Sequence, residues 1–157
     1  YHIGSAYTGD RNPSQTKFVY RDRLWEGADL LGLGVASFGH INGVHVQNLD
    51  KWPAYQAAID SGEIPFGRAY RPTDEERLIR EFVLQLKRGS NRPAYFARKY
   101  GVDVLSHFAG AINSLREDGY LAEASADRIA LTREALMRVD VLLPRFFLPK
   151  HTGIRYT

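Results

Sequence analysis

His40, Asn42, His45, Gln47 and Asn48 are the densest group of side chains able to move a proton or hold a ligand. Imidazole changes charge near neutral pH and ligates metals. His40 and His45 are therefore candidates for substrate contact. No carboxylate stands among them, and the nearest is Asp50, so a metal set is incomplete. The plainer alternative is that these amides and imidazoles satisfy the backbone of an irregular loop. Arg21, Asp22, Arg23 and Glu26 form a second group. Its carboxylates could pair for acid–base work if they shared a partly buried pocket, or the group closes on itself as a salt-bridged loop. Gly32-Leu-Gly34 begins like a dinucleotide fingerprint, but Ser37 stands where the third glycine belongs. His2, His107 and His151 are isolated, and Phe146, Phe147 and Tyr156 suit core or interface positions. Cysteine is absent, which excludes disulfides, thiolate zinc sites, cysteine-held iron–sulfur clusters and cysteine nucleophiles within these residues. No residue is assigned a catalytic role or a metal.

The elements that must position these groups fall into three stretches. Residues 1–48 hold turn-forming residues around two apolar runs, and residues 1–7 alternate like a strand. Residues 28–38 are a short apolar run without polar alternation, which suits a strand buried on both faces of a parallel sheet. Gly32, Gly34, Ala36 and Ser37 are small enough to admit another backbone or a flat ligand. Residues 49–72 hold a predicted helix over 49–61, with Trp52, Tyr55, Ala58 and Ile59 on one face, Pro53 in the first turn and Gly62 as its stop. A connector marked by Pro65, Gly67 and Pro72 follows. Residues 73–157 read as helices with clear punctuation. Thr73 and Glu76 form a capping box, followed by an apolar stripe to Leu86 and a stop at Gly89. Pro93 opens a second helix that Gly101 closes. Asp103 caps a third, spanning 103–118. Residues 120–123 and 128–131 suit a hairpin, and Thr132 caps a last helix that Pro144 ends. Three helices, a hairpin and a further helix is the order of a winged-helix domain.

The chain has 157 residues, too few for a complete (β/α)8 barrel, which needs more than ~200. The net charge is +3, unevenly spread: 6 basic and 7 acidic groups up to residue 70, then 15 and 11. Lys87, Arg88, Arg92, Arg98 and Lys99 follow one another without an intervening acid, so they form either a solvated face or a contact for an anionic partner. DNA is not expected. The third helix of a winged-helix domain enters the groove, and here that helix carries Asp103, Arg116, Glu117 and Asp118, a net of −2. No apolar run reaches the ~18 residues of a membrane span and no secretion signal is present, so cytoplasm is the expected compartment.

Residues 27–48, containing Asp29-Leu-Leu-Gly-Leu-Gly-Val35, Phe38 and the pair Gln47-Asn48, resemble the closing section of the oxygen-independent coproporphyrinogen III oxidases and their radical-SAM relatives. The resemblance continues through Arg68-Ala69, the Thr73 box, Leu84-Gln-Leu-Lys87, Gly119-Tyr-Leu, Leu131-Thr132 and Arg155-Tyr-Thr157. It implies an α+β architecture: the last strand or strands of a partial (β/α) barrel in residues 1–48, then a mainly helical winged-helix-like domain in 73–157. It implies a radical reaction in the parent protein that oxidatively decarboxylates propionates of coproporphyrinogen III to vinyl groups. S-adenosylmethionine and a [4Fe–4S] cluster would serve that parent, with neither expected on this chain alone. By position, Phe38 falls on the family's contact to a second S-adenosylmethionine, with Gly34 and Ser37 beside it. His40, His45, Arg21 and Arg23 are candidates for the tetrapyrrole, with Arg21, Arg23 and Arg68 as basic partners for its propionates. The implied partners are that tetrapyrrole and an N-terminal barrel half, with self-association through exposed strand edges. The alternative activities are a haem chaperone or haem-utilisation relative of the same fold and, further off, a free-standing winged-helix interaction module.

Overall fold

The computed structural model describes residues 1–152. It is a mixture of helix and strand that divides into two units: Tyr20–Arg77, and a second in which Tyr1–Val19 joins the residues from Leu78 onward. The sequence expectation grouped residues 1–48 together. The motif at residues 155–157, including Tyr156, lies outside the described residues.

In chain order, β1 (His2–Ser5) and β2 (Thr8–Asp10) form an antiparallel hairpin. Then come α1 (Val19–Trp25), β3 (Phe38–Ile41), β4 (Val44–Asn48), α2 (Trp52–Asp60) and β5 (Phe66–Tyr70). The rest is α3 (Asp74–Leu86), β6 (Ser90–Asn91), α4 (Pro93–Tyr100), α5 (Val104–His107), α6 (Ala109–Glu117), β7 (Leu121–Ala124), β8 (Ile129–Leu131), α7 (Arg133–Leu136) and α8 (Val139–Leu142), ending in 3-10 turns at Leu143–Phe146 and Pro149–His151.

The unit holding most of α3 has an apolar core. The stripe Leu78, Ile79, Phe82, Val83 and Leu86 is buried against Phe96, Ile112, Leu115, Ile129 and Leu142. The Phe82 ring lies 5.4 Å from Phe96, 4.5 Å from Phe108 and 5.0 Å from Phe146. Strands β6, β8 and β7 pair antiparallel, in that order. The expected stops are present: Gly101 ends α4 in the left-handed region, Asp103 accepts from the Leu105 N–H and Thr132 from the Ala135 N–H. The helix predicted over 103–118 is instead two, broken at Phe108 (φ −103, ψ 23). At that break the Phe108 ring packs against both Phe82 and Phe146, which also touch each other. The predicted last helix is likewise divided, into α7 and α8 at Met137 and Arg138, and it gives way to a 3-10 turn at Leu143–Phe146, where Pro144 has no N–H to continue an α-helix.

The β1–β2 hairpin belongs here through its turn. The Ala6 N–H donates to the Lys87 carbonyl at 2.8 Å. Tyr7 Oη donates to Asp140 Oδ1 and accepts from Lys87 Nζ, both at 2.7 Å. Two members of the basic run are thereby engaged, since Lys99 Nζ lies 2.7 Å from the buried Glu81 carboxylate. Among the described residues, no helix is long and apolar enough to cross a membrane.

Candidate functional site

The site candidates lie in the unit Tyr20–Arg77, with Phe38, His40 and His45 on the antiparallel sheet β3-β4-β5. Asn42 and Gly43 both have positive φ (48° and 75°). Two such residues make the type I′ connection that suits strand twist. They turn β3 directly into β4, with Ile41 opposite Val44. The polar group therefore sits on a hairpin, in place of the expected loop after a parallel strand. Residues 28–38 are also not the expected strand. They hold one isolated bridge, Leu30 to His40, and regular pairing starts at Phe38. The pleat fails because Gly34 (φ 100°) and Ala36 (φ 59°) are left-handed. Gly32 serves close packing of the chain on itself: a side chain there would run into the Phe38 carbonyl oxygen.

Buried amides hold this loop in shape. Asn48 Nδ2 donates to the carbonyls of Gly32 at 3.0 Å and Gly34 at 2.9 Å. Gln47 Nε2 donates to the Ala36 carbonyl at 3.0 Å. The Gly34 N–H donates to Tyr55 Oη, and the Ala36 N–H to the Leu49 carbonyl. For Gln47 and Asn48, the backbone-satisfying alternative is what the geometry displays. Gly34 and Ser37, read as cofactor contacts, bond within the protein: Gly34 meets Tyr55 and Asn48, and Ser37 Oγ donates to the Leu33 carbonyl at 2.6 Å. Phe38 differs, with its ring 62% exposed.

Strand register then assembles a face. Phe38 pairs with Gln47, and Gln47 with Arg68. One step along, His40 pairs with His45, and His45 with Tyr70. Directly opposite residues share a side, and alternate residues of a strand return to it. One side of the sheet thus carries Phe38, Gln47 and Arg68 in one row and His40, His45 and Tyr70 in the next. The imidazoles meet Nδ1 to Nδ1 at 3.3 Å, with ring centroids 4.5 Å apart. One ring must donate and the other accept, so the contact holds at most one imidazolium on that edge. Tyr70 Oη lies 2.8 Å from both Glu76 oxygens and donates to that carboxylate. Glu76 also accepts from the Thr73 N–H, and the Glu76 N–H donates to Thr73 Oγ1, so the expected capping box is present.

The remaining candidates lie apart from these rows in sequence. Arg21 and Arg23 are on α1, where a loop was expected. Arg21 pairs with Asp22 at 2.9 Å and lies over the Trp25 ring at 5.3 Å, while Arg23 is exposed. Sequence reasoning missed the alignment of Arg68 and Tyr70 with Phe38 and His40. The Asn42-Gly43 pair was a signal for the register of Phe38 with Gln47 and of His40 with His45, whereas no local pattern places Arg68 and Tyr70. The donor set does not fit a thiolate-held iron–sulfur cluster, since cysteine is absent. Among the described residues, no three His, Asp or Glu side chains gather as a metal-binding group.

No family model matches the chain. Oxygen-independent coproporphyrinogen III oxidases of two strains of Helicobacter pylori are each 26% identical to it over 121 residues, covering 74% of this chain and 26% of theirs. The chain thus spans about a quarter of the length of these relatives. Among solved structures, it matches coproporphyrinogen III oxidase from Escherichia coli, described as a radical SAM enzyme. That match has a TM-score of 0.64 and 19% identity, covering 76% of this chain and 28% of that one. Sequence and fold point the same way: the chain resembles the C-terminal part of an oxygen-independent coproporphyrinogen III oxidase-like protein.

Proposed function

We propose that these 157 residues are the C-terminal part of a radical S-adenosylmethionine enzyme of tetrapyrrole metabolism, one that oxidatively decarboxylates propionate arms of coproporphyrinogen III. In this reading, α1 to β5 end a partial barrel, and α3 onward is a winged-helix-like domain. The observation that carries it is the sheet face of Phe38, Gln47 and Arg68 beside His40, His45 and Tyr70. It offers an exposed ring for a flat ligand and cationic and hydrogen-bonding groups for acidic arms. S-adenosylmethionine would supply the radical chemistry at a cluster held by residues other than these. The role of this chain is to present the Phe38 ring, to hold the loop at residues 32–37 rigid through Gln47 and Asn48, and to place Arg68 and the imidazole pair.

The unit Tyr20–Arg77 also leaves Leu31, Leu33, Phe38, Trp52 and Ile64 exposed. A contiguous barrel half would cover apolar surface of this kind. The reading is tested on the product of the whole reading frame. A Cys-x3-Cys-x2-Cys motif should precede Tyr1. The reconstituted protein, incubated anaerobically with reductant, S-adenosylmethionine and coproporphyrinogen III, should form 5′-deoxyadenosine and protoporphyrinogen IX. 5′-Deoxyadenosine without decarboxylation would assign another tetrapyrrole reaction, and absence of the cysteine motif would overturn the enzyme reading. A Soret shift with haem, lost in His40→Ala or His45→Ala, would favour the haem-carrier alternative.

A further inference from the structure

Arg68 stands in the middle of β5, exposed, in register with Gln47. Its Nε donates to Gln47 Oε1, and Gln47 in turn donates to the Ala36 carbonyl. Gln47 is itself buried. This chain of two hydrogen bonds fixes the guanidinium plane from behind and uses one of its five N–H groups. Arg21 faces Asp22 and Arg77 faces Asp74, whereas Arg68 faces no carboxylate among the described residues. A guanidinium oriented through Nε keeps its Nη edge for a two-pronged contact, the geometry that a carboxylate matches best. Phe38 lies two strands away in the same row. At the usual strand spacing, the two positions are about 10 Å apart. A ligand with a flat body and a carboxylate arm spans that distance.

We propose that the Nη edge of Arg68 is a carboxylate anchor for a ligand lying on Phe38, and that Gln47 is the residue that positions it. The proposal rests on the functional reading above and names the chemistry that its site takes. The carboxylate has two possible sources, a propionate of the tetrapyrrole or the amino-acid end of S-adenosylmethionine, and the two are separable.

The 157-residue chain is titrated with coproporphyrin III, with its tetramethyl ester and with S-adenosylmethionine, following Soret absorbance for the porphyrins and heat for the third. Arg68→Met should weaken the free-acid porphyrin by about tenfold or more, the loss of a charged two-pronged bond. Binding of the ester should not change, and Arg68→Lys should fall between. If the carboxylate comes from S-adenosylmethionine, the loss appears there and both porphyrins bind as before. Gln47→Leu should produce a smaller loss that is greater for the carboxylate ligand than for the ester, whereas a purely structural role for Gln47 would weaken both equally. Equal binding by Arg68→Met and the unchanged chain overturns the anchor and leaves the functional reading intact. A chain that binds none of the three leaves the functional reading to the assay of the whole reading frame, and a last arm still decides the anchor. The Arg68 Nε–H nuclear magnetic resonance signal should shift with glutarate and stay still with neutral glutaramide; no shift with glutarate overturns the anchor.

Discussion

The two units are stabilised in opposite ways. From Leu78 onward, aliphatic and aromatic side chains interlock around Phe82, which is completely buried. In Tyr20–Arg77, the enclosed side chains among the described residues are Val46, Pro65 and Pro72 together with the polar His40, Gln47, Asn48 and Glu76. The first unit gains stability from apolar area removed from water, which is non-directional. The second relies on hydrogen bonds of fixed direction, whose net contribution per bond is smaller. Their advantage is geometric, since amides that grip particular carbonyls specify one loop shape. That suits the proposed role of holding Phe38 and Arg68 in place for a ligand.

The difference can be probed by substitution, beginning where the effect should be greatest. Phe82→Ala removes the ring shared by Phe96, Phe108 and Phe146. A loss of about 3–5 kcal/mol is expected for a buried Phe, read as a lower midpoint in urea unfolding. A loss under about 1 kcal/mol, the range of a surface substitution, would mean that this core is not what stabilises the unit. Asn48→Ala strips two carbonyls of their partner and should cost about 1–3 kcal/mol. Faster hydrogen exchange at the Ala36 and His40 amides should report it, with helices α4 and α6 unchanged. If protection fell equally across both units, the contrast drawn here would fail. Thr73→Ala should cost about 1 kcal/mol through the lost cap, visible as exchange at the Glu76 amide.

The smallest effect concerns the clasp of Tyr7, Lys87 and Asp140. The hydrogen bond from Tyr7, and then the Lys87 contact, hold the Asp140 carboxyl below its usual range. Burial pulls Lys87 down, but its bonds to Tyr7 and Asp140 outweigh this and leave it raised. A depressed carboxyl stabilises above its unfolded pKa, and that gain disappears as pH falls through the folded value. A raised lysine stabilises below its unfolded pKa, and that gain disappears as pH rises through the folded value. The clasp should therefore hold across neutral pH and loosen at both extremes. Asp140 is mostly exposed, so Asp140→Asn should cost no more than a few tenths of a kcal/mol, about the value of a surface pair. The Tyr7 ring signals would follow it by nuclear magnetic resonance. Separately, β5 pairs on its outer side with no strand among the described residues, and that edge should drive concentration-dependent association of the isolated chain; a monodisperse monomer in sedimentation would contradict this.

Legibility followed the range of the interactions. Helix ends were readable because a cap is decided within four residues: Thr73 with Glu76, Asp103 with Leu105, Thr132 with Ala135. The Phe82 stripe was readable because its period is local. Residues 28–38 misled because their apolar composition fits a buried strand, while Gly34 and the left-handed Ala36 break the pleat. Asn42-Gly43 carried a hairpin signal that should have outweighed that composition. The pairing of Gln47 with Ala36, or of Arg68 with Gln47, joins residues 11 and 21 positions apart through side-chain bonds that no local pattern encodes.

Sequence alone determined the helix punctuation, the absence of thiolate chemistry and the resemblance that orients the functional reading, because each depends on residue type or near neighbours. Tertiary structure decided that Tyr1–Val19 joins the unit from Leu78, that Phe108 breaks a helix, and that Phe38, Gln47 and Arg68 stand in one row beside His40, His45 and Tyr70. Those outcomes turn on strand register and on which distant backbone groups each amide meets, and both are settled only when the whole chain closes on itself.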